Sequence, residues 1–381
     1  MIAWLLISFF VLLFLGVPIA MSLGLSAMGG ILFLGGGSTV TIAQRMFEGM
    51  NSFALLAIPL YTFAGFTMSK GGISKRLMDF CYSIVGHIYG GLAHVNVLSS
   101  MIFAGISGSA VADTAGVSGM FMPEMIRKGY SKNFTVAVTA ISSTIGIIIP
   151  PSIPMVVIAG ICGISTGKLF LGGIIPGVLC GLAQMIVSYF MAKKEGVPKE
   201  PGHFTIGPVL HGLWESWPAL LMPIIIVGTI TMGIVSPTEA GVIAVVYGLF
   251  AGGIIYRELK WEDIKFAFAE TVRTSGRIFI VIGAAKLYTV MLTTAGFDKW
   301  VAKTMLGFST NPTVILIVIL LIFFIVTMFM ESIATLTLFM PILYPIALGV
   351  GINPIVLSVL ITVVIGIGLV TPPVGMCIYV A

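Results

Sequence analysis

Residues 105–123 read GISGSAVADTAGVSGMFMP, and residues 330–341 read MESIATLTLFMP. Phe-Met-Pro closes both stretches. Ten residues before each of its prolines, Pro123 and Pro341, stands a lone acid, Asp113 or Glu331. A proline pair follows each copy, Pro150-Pro151 and Pro372-Pro373, with a glycine four residues before its first member, Gly146 and Gly368. The triplets repeat at an offset of 218 and the proline pairs at 222. Two earlier blocks keep the same order. LGLSAMGGILFLGG at 23–36 aligns with AGVIAVVYGLFAGG at 240–253, and GISKRL at 72–77 with GFDKWV at 296–301. Four blocks in one order with drifting offsets indicate two homologous halves.

Composition places those halves in a membrane. The chain is 58% hydrophobic and 9% charged, with a mean hydropathy of +1.13, whereas a soluble domain carries about 25% charged residues. Apolar stretches approaching the roughly 20 residues that a helix needs to cross the hydrocarbon core recur along the whole length. The alternating ten-residue segments of a transmembrane barrel are absent. A helical bundle follows, because helices satisfy their own backbone groups in lipid. The net charge of +5 needs no nucleic acid partner, since basic residues at membrane boundaries serve topology. Cys81, Cys162, Cys180 and Cys377 lack CxxC spacing and read as small buried hydrophobes. His87, His94, His203 and His211 are scattered and read as helix-end or interfacial residues. Ile2 to Leu15 lacks the basic start of a signal peptide and reads as a retained first helix.

The basic residues orient the bundle. Lys128 and Lys132, then Lys193, Lys194 and Lys199, then Arg257, Lys260 and Lys265 form three clusters between apolar segments, and the positive-inside rule puts them in the cytoplasm. Segment 133–165 then runs outward, 168–192 inward, 218–234 outward, 236–256 inward and 272–294 outward. Counting back, 53–68 runs inward to Lys70, Lys75 and Arg76, which leaves the N-terminus outside. Corresponding helices of the two halves therefore point in opposite directions. Secondary transporters use such inverted pairs to build sites near the midplane.

Polarity and helix breakers inside the apolar sequence locate the candidate site. The stretches flanking Gly105 to Ala115 are each short for a full crossing and read as a re-entrant hairpin; residues 312–350, around Met330-Glu331-Ser332, read as its counterpart from the other face. Such irregular backbone is tolerated at depth only against protein or a water-filled cavity. Each hairpin precedes a segment broken by a proline pair, 133–165 and 353–381, since proline lacks a donor and clashes with the preceding turn. Freed carbonyls and half-helix ends can then hold a cation and a substrate carboxylate. Hydroxyls of Ser107, Ser109, Thr144, Thr327, Thr335 and Thr371 supply the oxygen ligands that hard cations prefer. An acid within a bilayer costs about 2.5–3.5 kcal/mol on insertion scales and is functional by default, which singles out Asp113 and Glu331; the alternative is that they cap the hairpin tips. Glu239 is the other acid near an apolar interior.

Three function classes separate here. A channel needs a continuous polar pore, yet the tip residues alternate with apolar ones. An intramembrane hydrolase needs a nucleophile with a base, yet the histidines lie far from the tips in sequence. A secondary transporter, not an enzyme, fits the repeated hairpin and break.

GISGSAVADTAGVSGMFMPEM at 105–125, STIGIIIPPSIPM at 143–155 and GIGLVTPPVG at 366–375 resemble the large membrane subunit of tripartite ATP-independent periplasmic (TRAP) transporters, over essentially the whole chain. The resemblance implies an all-α polytopic protein of the ion-transporter superfamily, with two inverted repeats and an elevator domain, in the bacterial inner membrane. It implies sodium-driven uptake of an organic acid, two or more sodium ions, a small four-helix membrane subunit, and a periplasmic substrate-binding protein. A stand-alone sodium/dicarboxylate symporter of the same superfamily is the alternative. Carried over residue by residue, a first sodium site falls on Ser107, Ser109, Gly146, Ile149 and Pro151. A second falls on Met330, Glu331, Thr335, Gly366, Thr371 and Pro373, with Asp113, Ser152 and Thr327 as substrate or coupling residues. Sialic acid, C4-dicarboxylates, keto acids and sugar acids all fit such a pocket. The family's pattern continues past the second broken segment whereas this sequence stops at Ala381, which implies a further terminal helix.

The organisation expected is a first repeat at 1–165, a connecting helix and linker at 166–215, and a second repeat at 216–381. Residues 1–60 and 216–270 would form the fixed scaffold, and 90–165 and 310–381 the mobile part. Lys193 to His211 reads as the inter-repeat linker. Lys70 to Phe80 and Arg257 to Glu270 read as amphipathic arms.

Overall fold

The computed structural model describes residues 1–34, 38–197 and 205–381; Gly36, Lys199 and His203 lie outside them. Every regular element among the described residues is helical. In chain order they are α1 (Ile2–Phe14), α2 (Ile19–Leu34), α3 (Val40–Met50), α4 (Ala57–Lys70, preceded by a 3-10 turn at Phe53–Leu56), α5 (Ile73–Val85), α6 (Gly91–Ser107), α7 (Ala110–Arg127), α8 (Lys132–Ser143), α9 (Ile153–Cys162) and α10 (Thr166–Lys194). Then come α11 (Ile206–Thr231), α12 (Pro237–Phe250, ending in a π turn), α13 (Trp261–Thr294), α14 (Phe297–Phe308), α15 (Pro312–Thr327), α16 (Ser332–Gly349), α17 (Pro354–Gly368) and α18 (Met376–Val380). Among the described residues, six stretches are long and apolar enough to span a membrane: Phe53–Lys70, Thr166–Lys194, Ile206–Thr231, Pro237–Ile255, Trp261–Thr294 and Ser332–Gly349. The last belongs to a hairpin.

The two halves repeat one order of elements. Hairpin 1 is α6 and α7, and hairpin 2 is α15 and α16. Ser131 and Asn353 cap the broken helices, each accepting from the backbone two or three residues on, as N-cap side chains do. The first helix ends at Ser143 in a 3-10 turn over Thr144–Ile147, and α9 restarts after Pro150-Pro151. Likewise α17 ends at Gly368, and α18 restarts after Pro372-Pro373. Both proline pairs contain cis peptide bonds. The short blocks at 72–77 and 296–301 are also the same structure. Gly72 (φ 77) and Gly296 (φ 80) lead into α5 and α14 from left-handed conformations, which glycine adopts without the steric cost other residues meet.

α10 measures the inversion. Its 29 residues rise about 43 Å at 1.5 Å per residue, more than a full crossing. Gly90, at the base of hairpin 1, packs on Ala192 near the C-terminal end of α10. Near the other end, a Cβ on Gly172 would lie 3.0 Å from Ile355 and 3.2 Å from Val359, at the start of α17 just beyond hairpin 2. These levels are twenty residues apart, about 30 Å of helix, which is the thickness of the hydrocarbon core. The hairpin bases therefore sit at opposite faces. Between these levels, five residues on from Gly172 and fifteen short of Ala192, Gly177 packs on Ile149, so the first break lies inside the span the two levels mark. The junction of α4 and α5 meets the turn before α13: Arg76 pairs with Glu258 at 2.7 Å, Lys70 stands 4.9 Å over the Phe266 ring, and Gly71 abuts Gly252.

Three boundaries differ from expectation. Residues 261–270 are no separate arm, because the first glycine after Trp261 is Gly276 and no proline intervenes, so one helix of 34 residues runs to Thr294. The second arm is α14, the counterpart of α5. α11 begins at Ile206 rather than near 216–218, taking His211 out of the linker; its imidazole lies 3.2 Å from Glu215, one turn on. Glu239 caps α12 reciprocally with Ser236, at 2.7 Å and 3.3 Å, from an exposed position.

The packing of α10 on the break gives a prediction. Gly177→Val would drive its Cβ into the Ile149 side chain and should destabilise the protein by about 1–3 kcal/mol, the usual range for overpacking. Thermal unfolding of the detergent-purified protein should show a lowered midpoint, with no loss for Gly276→Ala, whose Cβ meets nothing within 4 Å.

Candidate ion-binding site

The tip of hairpin 1 turns at Gly108 (φ 67) between Ser107, the last residue of α6, and Ser109, the N-cap of α7. The Ser109 amide donates to Ser107 Oγ at 3.2 Å, and Ser107 Oγ donates to Asp113 Oδ1. Asp113, on the first turn of α7, is 3% exposed. Its second oxygen, Oδ2, is buried without a hydrogen-bond partner and faces Gly146 so closely that a Cβ there would collide with it. Gly146 sits in the 3-10 turn just before the first proline pair. The Pro151 carbonyl faces Gly108, and the Ile153 amide, freed by the break, donates to the Gly108 carbonyl at 3.1 Å. Ser107, Ser109, Asp113, Gly146 and Pro151 are thus brought together around one point. Ile149 is the exception among the first-site residues as far as its side chain goes. That side chain packs on α10, and its amide donates to the Ile145 carbonyl at 3.0 Å. Ser152 is committed to the backbone, donating to the Ile147 carbonyl at 2.5 Å and accepting from the Met155 amide at 3.2 Å. It clamps the break and caps α9.

The second tip meets the second break in the same manner. The Val374 amide donates to the Met328 carbonyl at 3.2 Å, and Gly368 is pressed against Thr327, whose hydroxyl donates to the Phe323 carbonyl at 2.6 Å. Glu331 caps α16, accepting from the Ile333 amide at 2.8 Å, the Ala334 amide at 3.3 Å and Ser332 Oγ at 2.6 Å. Met330 is buried, and Thr335 donates to the Glu331 carbonyl at 3.1 Å. Thr371 donates to the Ile367 carbonyl at 2.7 Å, while Pro373 is exposed. Gly366 faces the other repeat: a Cβ there would lie 3.4 Å from Thr144 Cβ and 3.6 Å from its carbonyl. The two breaks therefore abut each other.

Two readings change. Asp113 and Glu331 are not equivalent positions. The starts of α7 and α16 align at an offset of 222, so Ser109 matches Glu331 as N-cap and Asp113 matches Thr335. Phe-Met-Pro falls one turn apart on the two arms and misaligns them by four residues. The capping alternative describes Glu331, whereas Asp113 has an oxygen to spare. The sequence also concealed Gly108 and Met328, whose carbonyls receive the freed amides, and Cys377 of α18, buried beside Thr114 and Asp113. α18 packs on α7 and α8, and α9 packs on α16, so each half-helix after a break contacts the other repeat. Only the glycine at a hairpin turn could have signalled Gly108; nothing in the sequence marked the other two. No group of three or more His, Cys, Asp or Glu side chains forms a transition-metal cluster among the described residues.

The model of the DctM component of the tripartite ATP-independent periplasmic transporter matches residues 6–381. The chain is 38% identical to the isethionate TRAP transporter permease protein DctMQ of Oleidesulfovibrio alaskensis over 98% of its own length, and spans 59% of that relative. It is 36% identical to the sialic acid TRAP transporter large permease protein SiaM of Vibrio cholerae, covering 97% of this chain and 86% of that one. With the C4-dicarboxylate TRAP transporter large permease protein DctM of Pseudomonas aeruginosa the identity is 37% over 94% and 84%. Two solved transporters share the fold at 14% identity and a TM-score of 0.59: the YdaH transporter of Alcanivorax borkumensis, over 88% of this chain and 79% of that one, and MtrF of Neisseria gonorrhoeae, over 90% and 77%. With paired hairpins, paired breaks and a family match across almost its whole length, the chain belongs to the DctM-component family of TRAP transporter permeases.

Proposed function

We propose that this protein carries an organic acid inward across the bacterial inner membrane, driven by sodium, with a periplasmic binding protein delivering the substrate and a small membrane subunit beside it. The observation that supports sodium most directly is Asp113 Oδ2. A buried carboxylate oxygen without a partner is costly unless a cation pairs with it, and Ser107, Ser109 and the Pro151 carbonyl supply neutral oxygens around it. One carboxylate among neutral ligands suits a monovalent hard cation; calcium sites usually recruit several carboxylates. The second tip, where Glu331 is occupied as a cap, offers Thr327 and backbone carbonyls and would take a second sodium ion at lower charge.

The organic-acid reading rests on the relatives, whose names specify isethionate, sialic acid and C4-dicarboxylates. No lysine or arginine is buried among the described residues, so recognition of a carboxylate would fall to hydroxyls, backbone amides and the bound cation. Transport by an elevator accords with the construction. The hairpins and broken helices pack on one another across the repeats, and the cation binding there would favour the substrate-competent arrangement.

Uptake of a labelled organic acid into proteoliposomes holding the permease, its small subunit and the loaded binding protein should require an inward sodium gradient. A potassium gradient of equal size that sustained the same uptake would sink the reading. Asp113→Asn and Ser107→Ala should each abolish sodium-dependent uptake while the complex remains folded by size-exclusion and thermal unfolding. Gly146→Ala should lower uptake by at least tenfold, a barrier change of roughly 1.4 kcal/mol or more, because its methyl group would occupy the space facing Asp113 Oδ2.

A further inference from the structure

The hairpins share a plan but are fastened to their broken helices differently. In the first repeat, Asn96 on α6 is fully buried and spends both ends of its amide on α8. Nδ2 donates to Thr139 Oγ1 at 2.8 Å, and Oδ1 accepts from Ser142 Oγ at 2.9 Å. Ser100 Oγ donates in turn to Ser142 Oγ at 3.0 Å. All four residues are 0% exposed. The network is centred where it matters for the site: Ser142 lies just before the turn that carries Gly146, and Ser100 lies two turns ahead of Ser107.

The second repeat lacks this network. At the offsets set by the helix starts, 221 from α6 to α15 and 222 from α8 to α17, the counterparts of Asn96, Ser100, Thr139 and Ser142 are Ile317, Leu321, Ile361 and Val364. α15 packs on α17, but among the described residues no side-chain hydrogen bond joins them. Ser358 and Thr362 donate to their own helix, to the Pro354 carbonyl at 2.7 Å and the Ser358 carbonyl at 2.8 Å.

Those two interfaces respond differently to a shift of one helix along the other. Sliding α6 on α8 would leave buried polar groups unpaired in a low-dielectric interior, so a satisfied network permits one register. Sliding α15 on α17 trades one aliphatic contact for another. We propose that Asn96 is a positioning residue: it locks hairpin 1 to the first broken helix, so that Ser107, Asp113 and Gly146 are held in place before the ion arrives, and hairpin 2 is the half that shifts on its broken helix to admit and release cargo. This rests on the reading of the first tip as a sodium site.

The test uses the reconstituted complex. Asn96→Leu, which keeps the volume and removes the amide, should raise the sodium concentration for half-maximal uptake on the order of tenfold, as loss of one or two net hydrogen bonds of about 1 kcal/mol each predicts. The maximal rate at saturating sodium should stay within about twofold. Ser100→Ala, which removes only the outer bond, should give a smaller shift in the same direction and decides the matter if the Asn96 variant fails to fold. An unchanged sodium requirement in every variant that folds would overturn the proposal. Hydrogen exchange of the wild-type complex in sodium-free buffer should show the amides of α15 and α17 opening faster than those of α6 and α8. Equal exchange would overturn the proposal as well. Because this contrast is read without sodium, it judges the lock on its own, whereas uptake indifferent to sodium would defeat the functional reading.

Discussion

Everything else in this fold depends on what happens to the amides that follow a proline pair. Inside a membrane an unpaired backbone group costs several kcal/mol, and a broken helix creates such groups at the depth where water is scarcest. Here each break is answered by the tip of its own hairpin: the Ile153 amide reaches the Gly108 carbonyl, and the Val374 amide the Met328 carbonyl. A hairpin tip is itself a place where carbonyls lack helical partners. The two defects cancel, and each repeat becomes a unit that neither the hairpin nor the broken helix could form alone.

That pairing explains how the duplication could be read from the sequence and where the reading slipped. Proline pairs and hairpin glycines were legible because they carry fixed backbone consequences. The acids misled. Asp113 and Glu331 both stand ten residues before a Phe-Met-Pro triplet, yet that triplet lies within a helix arm in both hairpins and specifies no backbone feature at the tip. Helix starts set the true register, and only coordinates show that Ser109 and Glu331 are the equivalent caps. The second arm was missed for a related reason. Residues 257–270 are charged and amphipathic, but no residue there ends a helix, while Gly296 provides the reversal that places α14. Contacts between repeats, such as Gly366 against Thr144 or Cys377 beside Asp113, leave no local trace in a sequence.

Several elements outside the hairpins are tied at one point. Arg76, on the first arm, hydrogen-bonds the Gly72 carbonyl at 2.9 Å, pairs with Glu258 at 2.7 Å and lies 4.2 Å over the Tyr256 ring, and its own carbonyl accepts from Ser216 Oγ at 2.9 Å. A solvent-exposed ion pair alone contributes little. Here the guanidinium is also stacked and bonded to backbone, so one residue joins α5 to α11 and to the turn before α13. The start of α5, the helix that leads into hairpin 1, is thereby fixed.

Duplicated frames need not do duplicated work, and the two tips show how little must change to separate them. At the second tip the acid stands at the N-cap and is consumed by two amides and a hydroxyl, which stabilises α16 but leaves it a poorer ligand. At the first tip the cap is a serine, and the acid stands one turn further along the helix, where Ser107 satisfies one oxygen and nothing satisfies the other. A shift of four residues converts a structural carboxylate into an available one. The same asymmetry runs through the packing behind the tips, polar and register-specific in the first repeat, aliphatic in the second. The tip with the charge to hold an ion is therefore also the tip whose support permits a single register, as a preorganised site requires, and the tip with the weaker electrostatic hold has the support that can yield.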